Sequence, residues 1–148
     1  MSYRPGIRNI ADINANIVVT SSAALVTTGL TAPIAAGQRM HVRIWVPFSV
    51  GATGGVRAQL VVPAAGTIFE LTATLENTVA PSSTLIEQQA SAAITNALAN
   101  AGDHWISMDA TIVNGATAGN VDLQMAQNTS DVLSLTIKRG GIMEVTIY

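Results

Sequence analysis

The sequence predicts an all-β chain: a single antiparallel β-sandwich of the jelly-roll kind, with about eight strands. Three observations carry that prediction. Apolar residues recur at every second position over several stretches, which is the period of a strand with one buried face. Clusters of turn-forming residues separate these stretches at short, regular intervals. A chain of 148 residues is the size of one domain around one core.

Residues 1–12 contain Pro5, Gly6 and the charges of Arg4, Arg8 and Asp12. They read as an extended arm ahead of a sandwich spanning 13–148, with Tyr3, Ile7 and Ile10 as apolar anchors and Arg4 and Arg8 as charged ones. Short strand candidates follow at 17–20 and 24–28, flanked by Ser21, Ser22 and Gly29. The clearest strand is 39–46, where Met40, Val42, Ile44 and Val46 alternate with Arg39, His41, Arg43 and Trp45. After the glycine-rich stretch 51–55, Val56, Ala58, Leu60 and Val62 alternate with Arg57, Gln59 and Val61 until Pro63 removes a ladder donor. These two runs read as antiparallel neighbours joined by a hairpin turn.

A further strand spans 67–76, with Phe69, Leu71, Ala73 and Leu75 on one face and Ile68, Glu70, Thr72 and Thr74 on the other. Residues 84–100 admit two readings. Leu85, Ile86, Gln89, Ala93, Ile94, Ala97 and Leu98 fall near helical spacing, whereas 82–88 and 92–97 could each be a strand. The strand reading, which completes two four-stranded sheets, is preferred. The last third alternates through 105–113, 120–126 and 134–138, separated by turn formers at 114–119 and 128–131, and 142–148 follows Gly140 and Gly141. Met40, Val42, Ile44, Leu60, Leu71, Ile112, Leu123 and Leu135 are expected inside, because a one-residue slip would turn each set outward.

Composition narrows the function. Hydrophobic residues make up 49% of the chain and charged residues 11%, against about a quarter charged in an ordinary soluble domain. Such a surface exposes too much apolar area to stand alone, so part of it is expected to be covered by other subunits. The net charge of −2 is spread with no run of either sign, and no footprint for nucleic acid is present. The absence of cysteine excludes disulfides, thiol nucleophiles and zinc-thiolate sites. The uncharged stretch 13–36 is broken by Asn14, Asn16, Thr20, Ser21, Ser22, Thr27, Thr28, Gly29 and Pro33, which argues against a membrane span, and the first residues lack the apolar stretch of a secretory signal.

No constellation in the sequence points to catalysis. His41 and His104 stand apart, in neither H-x-H nor H-E-x-x-H spacing. His41 reads as a solvent-side or interface strand residue, and His104 as a loop residue beside Trp105. No serine lies in G-x-S-x-G. The glycines at 51–55 lack the Lys-Ser or Lys-Thr and the helix that a phosphate loop needs. Asp103 with Asp109, and Glu70 with Glu76, have no defined frame for acid and base roles. Asn128-Thr129-Ser130 fits a glycosylation acceptor but reads as a turn. Trp45 and Trp105 could stack on a sugar, although packing is the commoner fate of a strand tryptophan. No catalytic residue, cofactor or metal is therefore assigned.

The runs Trp105-Ile106-Ser107-Met108-Asp109-Ala110-Thr111-Ile112-Val113, Leu123-Gln124-Met125-Ala126-Gln127-Asn128-Thr129-Ser130-Asp131 and Thr136-Ile137-Lys138-Arg139-Gly140-Gly141-Ile142 carry a resemblance. They resemble the C-terminal strands of small trimeric jelly rolls of the tumour-necrosis-factor-like fold found in tailed-bacteriophage virions. Residues 36–46 and 54–57 are similar to the first strands of those domains. The resemblance implies a capsid decoration or cementing protein, a homotrimer bound to the major capsid protein on the virion surface, made in the host cytoplasm, with no nucleic acid or membrane partner. Residues 1–12 would then be the capsid-contact arm. Trp45, Val61, Ile68, Met108, Met125 and Tyr148 are the candidate trimer wall, being strand positions left over once the core is filled. The alternative is a tail- or head-fibre domain binding a host-surface glycan; the absence of repeats or heptads favours decoration.

Overall fold

The computed structural model describes residues 7–51, 53–76, 82–89, 91–96 and 102–148, and every regular element among them is a strand. In chain order these are β1 (Ile7–Asp12), β2 (Ile17–Val19), β3 (Val26–Ile34), β4 (Arg39–Val50), β5 (Val56–Val61), β6 (Thr67–Glu76), β7 (Ser82–Gln89), β8 (Ser91–Asn96), β9 (Gly102–Val113), β10 (Gly119–Ala126), β11 (Leu135–Ile137) and β12 (Ile142–Ile147).

Eight of these strands form four nested antiparallel pairs: β1 with β12, β3 with β10, β4 with β9 and β5 with β8. Folding that nested ladder over itself brings β12 beside β4 and β10 beside β5. This is the winding of a jelly roll. It yields a small sheet in the order β3-β10-β5-β8 and a large sheet in the order β1-β12-β4-β9-β6-β7, which β2 and β11 join beside β4. The hairpin β6–β7, inserted in sequence between β5 and β8, extends the large sheet beyond β9.

The core fills the space between the sheets. All eight residues expected inside are buried, and Phe48, Leu30, Ile34, Ile68 and Met125 join them as fully buried large side chains. Alternation is strict where a strand has one wet face, as in β4, whose odd-numbered positions face outward and even-numbered ones inward.

Several expectations are corrected. β4 and β5 are not hairpin partners: residues 51–55 carry the chain from one sheet to the other, and each strand pairs with a later one, β9 or β10. Alternation tells which face is buried but not which strand lies alongside. The sheets have eight and four strands rather than four each. Within 84–100 the preferred strand reading holds for the described residues, which belong to β7 and β8; residues 90 and 97–100 lie outside the described residues.

β3 does not stop at Thr28. It runs on to Ile34 through a bulge, where Gly29 takes φ +81° and the buried Thr28 hydroxyl donates to the Leu123 carbonyl at 2.9 Å in place of a ladder bond. β4 likewise passes through Pro47. There its neighbour changes from β12, which ends opposite Trp45, to β11, which begins opposite Phe48. The missing proline N–H falls at that gap, and the Pro47 carbonyl accepts from Lys138 N at 2.9 Å. In β6 a second bulge sets Ile68 and Glu70 opposite the consecutive residues Ile112 and Thr111. Ile68 is therefore buried and Phe69, expected inside, is 52% exposed.

The expected arm is, over Ile7–Asp12, an edge strand of its own sheet, in continuous register with β12 from Ile7↔Ile147 to Asp12↔Ile142. Tyr3 and Arg4 lie outside the described residues.

Two measurements check this packing. Leu123→Ala is expected to lower the unfolding free energy by about 2–5 kcal/mol, and Phe69→Ala at the bulge by less than about 0.5 kcal/mol, both read by urea denaturation. Deleting residues 1–12 should also lower the urea midpoint, since it strips β12 of one of its two strand partners.

Candidate functional site

Among the described residues, the outer face of the large sheet brings together a group of ionisable and hydroxyl side chains. Strand register lays them out in rows that run across β12, β4, β9 and β6. One row is Glu144, Arg43, Asp109 and Thr72; the next is Ile142, Trp45, Ser107 and Thr74; the row on the other side is Thr146, His41, Thr111 and Glu70. β1 adds Ile10 beside Glu144 and Asp12 beside Ile142. The period of two that buries Ile44, Met108 and Ala73 beneath is what brings these polar residues together above.

Asp109 is the centre of the face. Its Oδ1 lies 2.7 Å from His41 Nε2, and its Oδ2 accepts from Arg43 Nε at 3.1 Å. Partial burial works to raise its pKa, but the hydrogen bonds and charges of His41 and Arg43 together outweigh burial and hold the carboxyl below the usual aspartate value. Two hollows flank Arg43. A hollow of about 380 Å³ is lined by Arg43, Thr72, Thr74, Ser107 and Asp109 over a floor of Ile44 and Met108. One of about 210 Å³ is lined by Arg43, Trp45, Ile142 and Glu144. Trp45 is 42% exposed and Trp105, on the same face beside Pro47, is 36% exposed.

At one end of the sandwich a second polar cluster is structural. Gln127, fully buried, uses all four hydrogen-bonding positions of its amide. Its Nε2 donates to the carbonyls of Asp131 (3.1 Å) and Leu133 (2.6 Å), and its Oε1 accepts from the backbone N–H groups of Ser22 (3.0 Å) and Asp131 (3.2 Å). Asp131 in turn accepts from Leu133 N at 3.0 Å and from the Thr53 hydroxyl, and these bonds lower its pKa. Sequence reasoning noted Gln127 only as part of a motif; a lone glutamine between a strand and a turn gives no local sign of being a clamp.

The sequence-derived site residues divide. Trp45 stands on the large-sheet face, Val61 is half-buried on the outer face of the small sheet, and Tyr148, 73% exposed, follows β12 with its N–H bonded to the Arg39 carbonyl. Ile68, Met108 and Met125 are core residues and not wall residues. The period of two already aligns Met108 with Ile112 and Met125 with Leu123, while Ile68 is turned inward by the bulge. Ile7, Arg8 and Ile10 belong to β1. His41 is half-buried on the face, as expected for a strand residue. His104 is not in a loop: it is buried within β9, its ring centroid 5.6 Å from that of Phe48.

The two outer faces differ sharply in charge. Asp12, Arg39, Arg43, Glu70, Asp109 and Glu144 stand on the large-sheet face. Among the described residues the small-sheet face carries only Arg57, whose Nη2 donates to the Ala23 carbonyl at 2.8 Å, and Asp122, amid Thr27, Thr31, Pro33, Gln59, Val61, Asn120 and Gln124. The sequence of β8, at the edge of that sheet, contains no charged residue. Among the described residues no group of three or more His, Asp or Glu is placed to hold a metal ion. No protein-family model, curated protein or solved structure matches the chain.

Because Asp109 has a lowered pKa in the folded state, it adds stability above the unfolded-state value of about 3.9 and loses it as pH falls through the folded value. Asp109→Asn should flatten the acid side of the stability curve measured by urea midpoints from pH 7 down to about pH 2. Gln127→Leu, which leaves several buried backbone groups unpaired, should cost about 1–3 kcal/mol or more at neutral pH by the same assay.

Proposed function

We propose that this chain is a non-enzymatic structural protein of a tailed-phage virion, a capsid-decorating or cementing homotrimer seated on the major capsid protein. The observation that carries the assembly reading is that, among the described residues, the outer face of the small sheet carries only two charges, Arg57 and Asp122. In a chain with 11% charged residues, a solvent-facing sheet would be the place to spend them. Most of the described charges gather on the opposite face, and on the small sheet Arg57 and Asp122 stand amid threonine, glutamine, asparagine, proline and valine. Depletion of charge marks the centre of a protein–protein interface better than overall apolarity does.

Val61 closes β5, one of the two inner strands of this sheet. It is in register with Asp122 on β10, which pairs on its other side with Thr31 of β3, and with Ser91 on β8. The large-sheet face suits exposure instead: its ion pairs are made internally, and charged residues interrupt its apolar ones. A closed ring covers the small-sheet face on every copy without leaving a growing edge. The jelly-roll winding agrees with the resemblance from which threefold symmetry and the virion are drawn.

Val61→Asp should dissociate the assembly while leaving the sandwich folded, because an unpaired charge buried at an interface costs about 3–5 kcal/mol. Thr146→Asp, on the charged face, should leave it intact. Native mass spectrometry and sedimentation read both, and a stable wild-type monomer at micromolar concentration would overturn the assembly reading. Particles stripped of the protein should lose resistance to heat and osmotic shock; unchanged resistance would remove the cementing role.

A further inference from the structure

We infer that the hollows beside Trp45 on the outer face of the large sheet form a binding site for a neutral saccharide. The inference uses the face opposite the proposed subunit wall and does not rest on the assembly reading; it gives the fibre-like alternative a concrete site.

A pyranose ring has an apolar C–H face and a rim of hydroxyl groups, each able to donate and accept. Its receptor therefore needs a flat apolar platform with donors and acceptors set around it. The face offers that combination in two adjacent rows. Trp45 supplies an amphipathic aromatic surface that is only partly covered, with Ile142 beside it. Across the strands, Ser107 and Thr74 supply hydroxyls that donate or accept. In the neighbouring row Arg43 supplies donors and Asp109 acceptors. Arg43 lines both hollows, so a ligand lying along Trp45 can reach donors and acceptors on either side. Trp45 lines the hollow of about 210 Å³, and across Arg43 the hollow of about 380 Å³, which Trp45 does not line, stands at the lower end of small-ligand sites, which run from about 300 to 1,000 Å³.

The site is also fixed before a ligand arrives. Asp109 is held from two directions, by His41 at 2.7 Å and Arg43 at 3.1 Å, and the same bond restrains the arginine. Preorganised polar groups lose less entropy on binding. All the groups named stand on long, paired strands and none on a loop.

Charge chooses the ligand's class. Asp109 and Glu144 are both acidic and flank one arginine. A carboxylated or sulfated sugar, or a nucleotide phosphate stacked on Trp45, would meet that pair of carboxylates. A neutral sugar uses them as hydroxyl acceptors.

Saturation-transfer NMR on the full chain, with methyl α-glucopyranoside, methyl β-galactopyranoside, N-acetylglucosamine and glucuronate as probes, tests the inference. At least one neutral sugar should bind saturably, with a Kd of about 1 mM and transfer to its ring C–H protons. Glucuronate should bind at least about tenfold more weakly. Trp45→Ala should lose at least about tenfold in affinity, with circular dichroism verifying the fold. Should that variant misfold, Ser107→Ala, which removes only a surface hydroxyl, should still weaken binding. No binding by any of the three neutral sugars, stronger binding by glucuronate, or undiminished affinity in Ser107→Ala and a folded Trp45→Ala would overturn the inference. Native mass spectrometry of the same samples separates the two readings: a trimer that binds no sugar removes this inference alone, and a sugar-binding monomer removes the assembly reading alone.

Discussion

Twelve consecutive antiparallel pairs between β4 and β9, from Arg39↔Val113 to Val50↔Gly102, are the constraint on which the rest of the structure depends. Residues in the two strands are more than fifty positions apart, so the ladder closes a long loop before any contact rewards it. Once it forms, its other edges are available: β12 and β11 line up along β4, and β6 along β9. It also fixes both faces of the large sheet at once. The inward face supplies Met40, Val42, Ile44, Val46 and Phe48 against Ile106, Met108, Ala110 and Ile112, and the outward face sets Trp45 beside Ser107 and Arg43 beside Asp109. Site and core are two sides of one register, and a slip of one residue would exchange them.

The places where local rules are broken are compensated by a specific partner. Pro47 interrupts the long strand where no donor is needed, because β12 gives way to β11 there. The bulge at Gly29 leaves a ladder carbonyl that the buried Thr28 hydroxyl satisfies. The turn into β12 uses Gly140 at φ +89°, and Gly141 packs so closely that a Cβ would come within 2.7 Å of Ile13 Cδ1. The two ends of the sandwich are each held by a buried primary amide. Asn114 donates to the carbonyls of Ala35 and Thr117 at one end, and Gln127 gathers Ser22, Asp131 and Leu133 at the other. Loops closed in this way leave the strand ends little freedom, which suits faces that must present fixed side chains.

The division of labour between the two outer faces follows from how scarce charge is used. A soluble surface needs charge to stay dispersed, and a chain with so little of it cannot cover itself evenly. Here the described charges stand mostly on the large sheet, several in mutual contact, and the small sheet is left polar but nearly uncharged. Side-chain hydroxyls and amides can be covered by a neighbour at far lower desolvation cost than ions. The face richer in ions therefore suits water or a small polar ligand, and the face with fewer of them suits another subunit.

The sequence by itself determined the class of fold, the presence of most strands and much of the inward set, though the wall reading sets the buried Ile68, Met108 and Met125 outside it. These follow from a local period of two, which any five or six residues display. It also held the elements of the candidate site, since the alternation that buries Met40 to Val46 exposes His41, Arg43 and Trp45 together. Tertiary structure alone decided which strands are neighbours, because pairing depends on contacts far apart in the chain: β5 joins β10 rather than β4, and Ile7–Asp12 join β12 rather than forming an arm. It also decided where the period breaks. The bulge at Phe69 reverses the phase of β6 relative to β9, the irregularity at Gly29 sets the span from Thr27 to Thr31 against the shorter span from Gln124 to Asp122, and only the partner's register shows either. For the same reason Ile68 faces the core, Arg43 meets Asp109 from a strand 66 residues distant, and Trp45 lies beside Ser107 and Ile142.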